Sequence, residues 1–469
     1  MRNQPLIDEL IRICGIARVL QSPTALLAYE SDGLSFQRHR PEVVVIPDSS
    51  DELRQVLDAA RSHQVPYVIR GAGTGLSGAC VAQQGGLMIH LSRLKHILEI
   101  NADDLVCVVE PGVVLHALND ALEPHGVFYP PDPSSGFAST LGGNVATNAG
   151  GIRCFKYGVT SNYVLGLEII TPGGQLRRFG SPDGPVDGPD WRALMVGSEG
   201  ILGAITKIWL RLKPLPGSPC TFLVSFKELE EAAAAVNELV HHPCIPVAIE
   251  LLDQNTVRLV EASPMKVGLP KDSWVLLVEI NGPRELVDAQ APGIEAIFQR
   301  HQALKVEKTF DEQERLKLWK ARKAAGGLVG QISPDVMIQD AVIPRSRIAE
   351  VLRAIYAEAE AQDLPVINVF HAGDGNLHPN FMFDSRDPEQ LRRVKEAGRK
   401  LMEVVIAVGG TLSGEHGIGN DKMDYLGLVF GPREMAAQRA VAELFNPLNQ
   451  LNPGKLLAGR DFVAGAQAP

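Results

Sequence analysis

Eighteen successive residues, Ser134-Ser135-Gly136-Phe137-Ala138-Ser139-Thr140-Leu141-Gly142-Gly143-Asn144-Val145-Ala146-Thr147-Asn148-Ala149-Gly150-Gly151, are mostly small or hydroxyl-bearing. Such a run cannot build a core by itself. It can wrap closely around a large flat ligand, because residues without a Cβ let backbone N–H groups approach. Two more tight segments have the same character. Arg70-Gly71-Ala72-Gly73-Thr74-Gly75-Leu76-Ser77-Gly78 follows a strand-like Tyr67–Ile69, and Gly197-Ser198-Glu199-Gly200-Ile201-Leu202-Gly203-Ala204-Ile205-Thr206 lies further on.

The first of these two loops satisfies a dinucleotide spacing at Gly73, Gly75 and Gly78. Only eight residues separate Gly78 from the next strand-like run at Leu87, too few for a crossover helix. That run ends in Leu91-Ser92, without the acidic residue that would hold a ribose. A nicotinamide Rossmann site is disfavoured. An anion cradle remains, with Thr74 and Ser77 as hydroxyl donors; the plain alternative is a glycine-rich turn with no ligand.

The loops need a scaffold, and the chain supplies one. It has 469 residues, 45% apolar and 21% charged, enough for two or three domains with sizeable cores. Residues 1–40 read as a helical lead-in, with Leu6, Leu10 and Ile13 at helical spacing after a possible Asn3 cap. Val43–Ile46, a helix from Asp51 to His63 and Tyr67–Ile69 form a strand–helix–strand pattern. After Lys213-Pro214-Leu215-Pro216-Gly217 the texture changes to repeated strand–helix units, so a second α+β domain is expected over 217–430. Residues 431–469 read as a segment returning to the first domain, which covers 41–216.

A formal charge of -10 argues against nonspecific nucleic-acid binding. No apolar stretch is long enough for a membrane span, and Asp8, Glu9 and Arg12 interrupt any signal peptide, so cytoplasmic synthesis is expected. The six cysteines include no Cys-x-x-Cys pair and are read as structural.

The most chemically loaded segment is Phe370-His371-Ala372-Gly373-Asp374-Gly375-Asn376-Leu377-His378-Pro379-Asn380-Phe381. It reads as a hairpin around Gly373–Asn376 that sets His371 opposite His378, at a cross-strand Cβ separation of about 4.5–5.5 Å. Two imidazoles there could share one divalent metal. A third candidate is Gly414-Glu415-His416-Gly417-Ile418-Gly419. Two histidines and one carboxylate would leave positions open for substrate. The plain alternatives are core or surface histidines and a solvated Glu-His pair.

Together the glycine segments resemble the FAD-binding domain of the vanillyl-alcohol oxidase and p-cresol methylhydroxylase superfamily. The His-Ala-Gly-Asp-Gly-Asn-Leu-His and Gly-Glu-His-Gly-Ile-Gly patterns resemble the C-terminal domain of FAD-linked D-2-hydroxyacid dehydrogenases. That group includes D-lactate dehydrogenases, D-2-hydroxyglutarate dehydrogenase and the FAD-linked subunit of bacterial glycolate oxidase. The resemblance implies an α+β fold: a two-subdomain FAD-binding domain plus a C-terminal substrate and metal-binding cap. It implies that Arg70, Gly71, Ala72, Gly73, Thr74, Gly75, Ser77 and Gly78 hold the FAD pyrophosphate. Asp132, Thr140, Gly142, Gly143 and Asn148 would line the flavin and pyrophosphate, with Glu199, Gly200 and Ile205 near the adenine. Several relatives carry a flavin-tethering histidine in the first loop; Thr74 stands there instead, so noncovalent FAD is expected.

The same resemblance implies that His371, His378 and Glu415 bind a divalent metal, zinc or manganese, and that His416 is the catalytic base. It assigns Asn380 to substrate contact and Arg322 to the substrate carboxylate, a surface arginine being the alternative. The expected reaction is oxidation of glycolate or D-lactate to the 2-oxoacid, with hydride transfer to flavin N5. The metal would polarise the hydroxyl, and turnover should fall in acid as His416 protonates. Electrons would pass to a quinone, cytochrome or iron–sulfur partner, with companion glycolate-oxidase subunits giving peripheral membrane association. Dicarboxylate-oxidising relatives carry an extra basic group near Val336–Asp340 that is not evident here, so D-2-hydroxyglutarate is the second choice. A metal-dependent hydrolase and a noncatalytic flavin subunit are the readings from other classes.

Overall fold

The computed structural model describes residues 3–182 and 188–462, which divide into two compact units. The first comprises the described residues within 1–149, 159–215 and 415–469; the second comprises 150–158 and 216–414. The return to the first unit thus begins at Glu415, whereas the sequence reading begins it at 431. The helix Pro388–Ala407 and its exit strand-pairing at Thr411 still belong to the second unit.

In the first unit, strands Val43–Val45, Leu87–His90 and Tyr67–Arg70 lie side by side and parallel, with Val19–Leu20 antiparallel at the edge. The valine run at 43–45 is buried on both faces, as a covered parallel strand must be. Its side chains alternate. Val43 and Val45 join a core with Leu6, Leu10, Leu53 and Val56, while Val44 packs with Leu26, Val68 and Met88 on the other face. Helices Gln4–Cys14 and Ser50–Ser62 start where Asn3 and Ser49 side chains accept N–H bonds from Leu6 and Glu52. No helix interrupts residues 71–86, so the parallel crossover is made by the glycine loop itself.

A second, antiparallel sheet in this unit has the order Ile97–Asn101, Val106–Val109, Ala204–Arg211, Val164–Ile170, Leu176–Gly180. The C-terminal segment closes the parallel sheet. Leu451 bridges Tyr67, and Gln450 Nε2 donates to the carbonyls of Ala60 and Val65, each at 2.7 Å.

The second unit is built on an antiparallel sheet whose path runs Lys305–Thr309, Ser218–Phe226, Trp274–Gly282, Ala248–Leu252, Val366–His371, Asn376–Leu377, Ala341–Val342. Pro379–Phe383 joins Val366–His371 to Asp335–Ile338. Helices Gln254–Glu261 and Glu312–Leu328 pack over a core that includes Ala248, Leu252, Ile367, Val369, Trp319 and Ala325. By the two-residue alternation of a strand, Glu250 and His371 fall on that same face.

All six cysteines are free thiols. Among the described residues, no helix is long and apolar enough to cross a membrane.

Candidate functional site

The histidine hairpin in the second unit turns one residue earlier than its sequence suggests. His371 pairs with Asn376, and Asn368 with Pro379, so the turn is residues 372–375. Gly375 adopts φ +79° and its N–H donates to the His371 carbonyl; a Cβ there would strike the Ile343 carbonyl oxygen. Only glycine closes this turn without strain. The register sets His378 across from Val369, not from His371. The two histidines are diagonal neighbours on one face, and long side chains bridge that offset. Their ring centroids are 5.1 Å apart, edge to face, and their ligand nitrogens lie within 4.8 Å. Pro379 opens its strand, where a missing N–H does least harm, and accepts from Gln339 N through its carbonyl.

Around this pair the second unit gathers buried polar groups. Asn380, two residues beyond His378, lies on its face and donates Nδ2–H to the His378 carbonyl at 2.5 Å. Asp340 is fully buried, receives Ser413 Oγ–H at 2.6 Å and Gly414 N–H at 2.9 Å, and lies 3.5 Å from His378 Nε2. Glu250 is also fully buried: Oε1 lies 2.6 Å from His371 Nδ1, while Oε2 accepts from Arg322 Nε at 2.6 Å. Arg322 is 5% exposed, on the inward face of its helix with Trp319 and Ala325. This arginine is therefore an interior group rather than a surface one.

Two imidazoles with adjoining buried carboxylates form a donor set that fits a divalent cation. Of the proposed metal and catalytic residues, His371, His378, Asn380 and Arg322 assemble in this unit. Glu415 and His416 belong to the first unit. Sequence reasoning missed Glu250 and the ligand-like placement of Asp340. The one available signal was a lone acid within the wholly buried strand Ala-Ile-Glu-Leu-Leu.

In the first unit the glycine loops approach each other at backbone distance. A Cβ on Gly71 would collide with Thr140 Oγ1, and one on Gly142 would meet Pro111. Thr140 caps the helix Leu141–Thr147, and Asn148 ends it in the left-handed conformation, accepting Ser161 N–H at 2.8 Å. Arg70 lies beneath its loop: Nη1 donates to the Ser31 carbonyl at 2.9 Å, and Gly73, at φ +73°, leaves the guanidinium room. Ala72 is exposed and Thr74 half-buried, while Gly75 accepts Gly33 N–H through its carbonyl. Gly78, at φ +72°, abuts Asn420. Asp132 is buried, 4.0 Å from His116 Nε2, and Ile205 is half-buried in its strand. Loops lined by backbone and small side chains suit a pyrophosphate-bearing ligand.

Ser77 and Glu199 also serve the His416 segment. Ser77 Oγ donates to the His416 carbonyl at 3.0 Å, and Glu199 accepts Ile418 N–H at 2.6 Å and Gly419 N–H at 2.7 Å. Gly200, at φ +73°, and the Glu199 carbonyl face Asn452 Nδ2. Burial raises the Glu199 carboxyl to about 7, against the two backbone donors that lower it. A value above the unfolded one means that its stabilisation is fully present below about 4.5 and is lost as pH rises through about 7. Glu199→Gln should therefore gain on the wild type between pH 5 and pH 8 in denaturant-midpoint measurements. A constant difference across that range would show that Glu199 does not titrate there.

Residues 41–180 match the family model described as FAD binding domain, and residues 215–456 match that of FAD linked oxidases, C-terminal domain. The chain is 38% identical over 460 residues to a glycolate oxidase subunit GlcD of Bacillus subtilis, covering 98% of both chains. It is 35% identical over 437 residues to a D-lactate dehydrogenase of Anaerostipes hadrus, covering 90% of each. The crystal structure of p-cresol methylhydroxylase with substrate bound superposes with a TM-score of 0.82 at 17% identity, over 98% of this chain and 97% of that one, a likeness of fold.

Proposed function

The chain belongs to the FAD-linked oxidases, and from that premise we propose that it oxidises a short 2-hydroxyacid, glycolate or D-lactate, to the 2-oxoacid. The observation that carries the reading is the meeting of His371, His378, Asn380 and Arg322 in one unit. It is supported by relatives named for glycolate and D-lactate.

FAD, when bound, supplies the hydride acceptor at N5 and carries the redox chemistry. The glycine loops at 70–78 and 132–148, with the 199–205 segment, would hold it noncovalently. His371 and His378, with Glu415 as third ligand, would hold a divalent metal, zinc or manganese, whose charge lowers the pKa of a bound hydroxyl. Arg322 orients the substrate carboxylate with the donors that Glu250 leaves, above all Nη1. His416 takes the hydroxyl proton. Asn380 donates to the substrate. Electrons leave to a quinone, cytochrome or iron–sulfur partner, in an assembly with companion subunits at the membrane surface.

Two measurements test this. Glycolate or D-lactate, added anaerobically in separate cuvettes, should bleach the flavin band; bleaching by D-2-hydroxyglutarate much faster than by either would transfer the assignment to the dicarboxylate. Acid precipitation should release the flavin to the supernatant, and flavin retained in the pellet would refute noncovalent binding.

A further inference from the structure

We propose that Glu250 is a positioning residue that holds the metal-binding and substrate-binding halves of the site in one geometry. This rests on the functional reading above and adds a residue to it. Glu250 occupies the middle of the strand Ala248–Leu252, flanked on its own face by Ala248 and Leu252 of an apolar core. A carboxylate there is costly unless it is paired and hydrogen-bonded.

Both of its oxygens are committed. Oε2 accepts from Arg322 Nε at 2.6 Å and Nη2 at 2.5 Å, a two-pronged ion pair. Oε1 meets His371 Nδ1 at 2.6 Å. A carboxylate paired with an arginine is ionised and can only accept, so His371 Nδ1 carries the proton. Nε2 is then the ring nitrogen that carries the lone pair, the one a metal would take, and the ring cannot rotate without breaking a buried charge-assisted bond. The same carboxylate fixes the rotation of the Arg322 guanidinium and thus where Nη1 points. One side chain sets the tautomer of the ligand and the angle of the clamp.

The test uses full-length FAD-loaded protein, stripped of metal and titrated with Mn²⁺ or Zn²⁺. Glu250→Gln should lose about 10–100-fold in metal affinity. Its KM for the hydroxyacid should rise by about tenfold or more while FAD content stays at the wild-type level. In a His371→Ala background, Glu250→Gln should cost no further metal affinity, a non-additivity that general loosening of the core would not produce. Wild-type metal affinity and KM in a folded Glu250→Gln protein would overturn the proposal, as would additive losses. Should that variant not accumulate, Glu250→Gln combined with Arg322→Met removes both buried charges together. Its metal affinity should fall equally far, and an unchanged affinity overturns the proposal. If the wild type itself binds no metal or oxidises no hydroxyacid, the functional reading fails, a result distinct from any change produced by Glu250→Gln.

Discussion

Replacing His416 with alanine should slow anaerobic reduction of the bound flavin by hydroxyacid about 100- to 10,000-fold, the range expected for loss of a general base. The imidazole is mostly buried, with its side chain 13% exposed. Its backbone is held independently by Ser77 Oγ on its carbonyl and by Glu199 on the N–H groups of Ile418 and Gly419. Truncation therefore removes the proposed proton acceptor without releasing the segment. Flavin content and absorption should be unchanged, and stopped-flow bleaching should show the whole loss in the reduction step. A loss under tenfold would remove His416 from the role of base.

The second large effect concerns stability. Asp253 caps the helix Gln254–Glu261 through Thr256 N–H at 2.6 Å, and also accepts from Tyr356 Oη at 2.6 Å, Asn368 N at 2.8 Å and Asn368 Nδ2 at 3.1 Å. Burial pushes this carboxyl up, and the donors from Tyr356, Thr256 and Asn368 pull it back. Asp253→Ala strips the cap and leaves several interior donors without their acceptor. About 3–5 kcal/mol should be lost, at 1–3 kcal/mol per stranded group and about 1 for the cap. A urea titration followed by circular dichroism reads this directly; a loss below about 1 kcal/mol would mean that water or a rearranged neighbour replaces the carboxylate. The variant also loses the ties from the Asp253 carboxylate to Asn368 N–H and Nδ2 in the strand that bears His371, while the backbone bond from residue 253 N–H to the Asn368 carbonyl is kept.

Features encoded locally were legible in the chain. The glycine runs, the Asn3-capped helical lead-in and the strand–helix–strand pattern from Val43 to Ile69 all follow from residue type and short spacing. The histidine pair was legible as a pair, but its register was not. That depended on where Gly375 could turn against Ile343, a neighbour 32 positions away. Glu250 was hidden because its partners, Arg322 and His371, are 72 and 121 positions distant, and its strand reads as apolar. The division of the chain at 414 and 415 was equally opaque. Nothing in the local composition of Thr411–Gly419 marks which unit its contacts complete.

That division has a consequence for synthesis. The parallel sheet of the first unit needs Gln450 on the Ala60 and Val65 carbonyls and Leu451 beside Tyr67, yet the ribosome must first make residues 216–414. At about 5–20 residues per second, the nascent first unit waits roughly 10–40 s with those carbonyls unsealed. The second unit, contiguous but for residues 150–158, can mature during that interval. The flavin-binding half, although translated first, is the half that finishes last, and a ribosome stalled before residue 450 would release it as a client for chaperones.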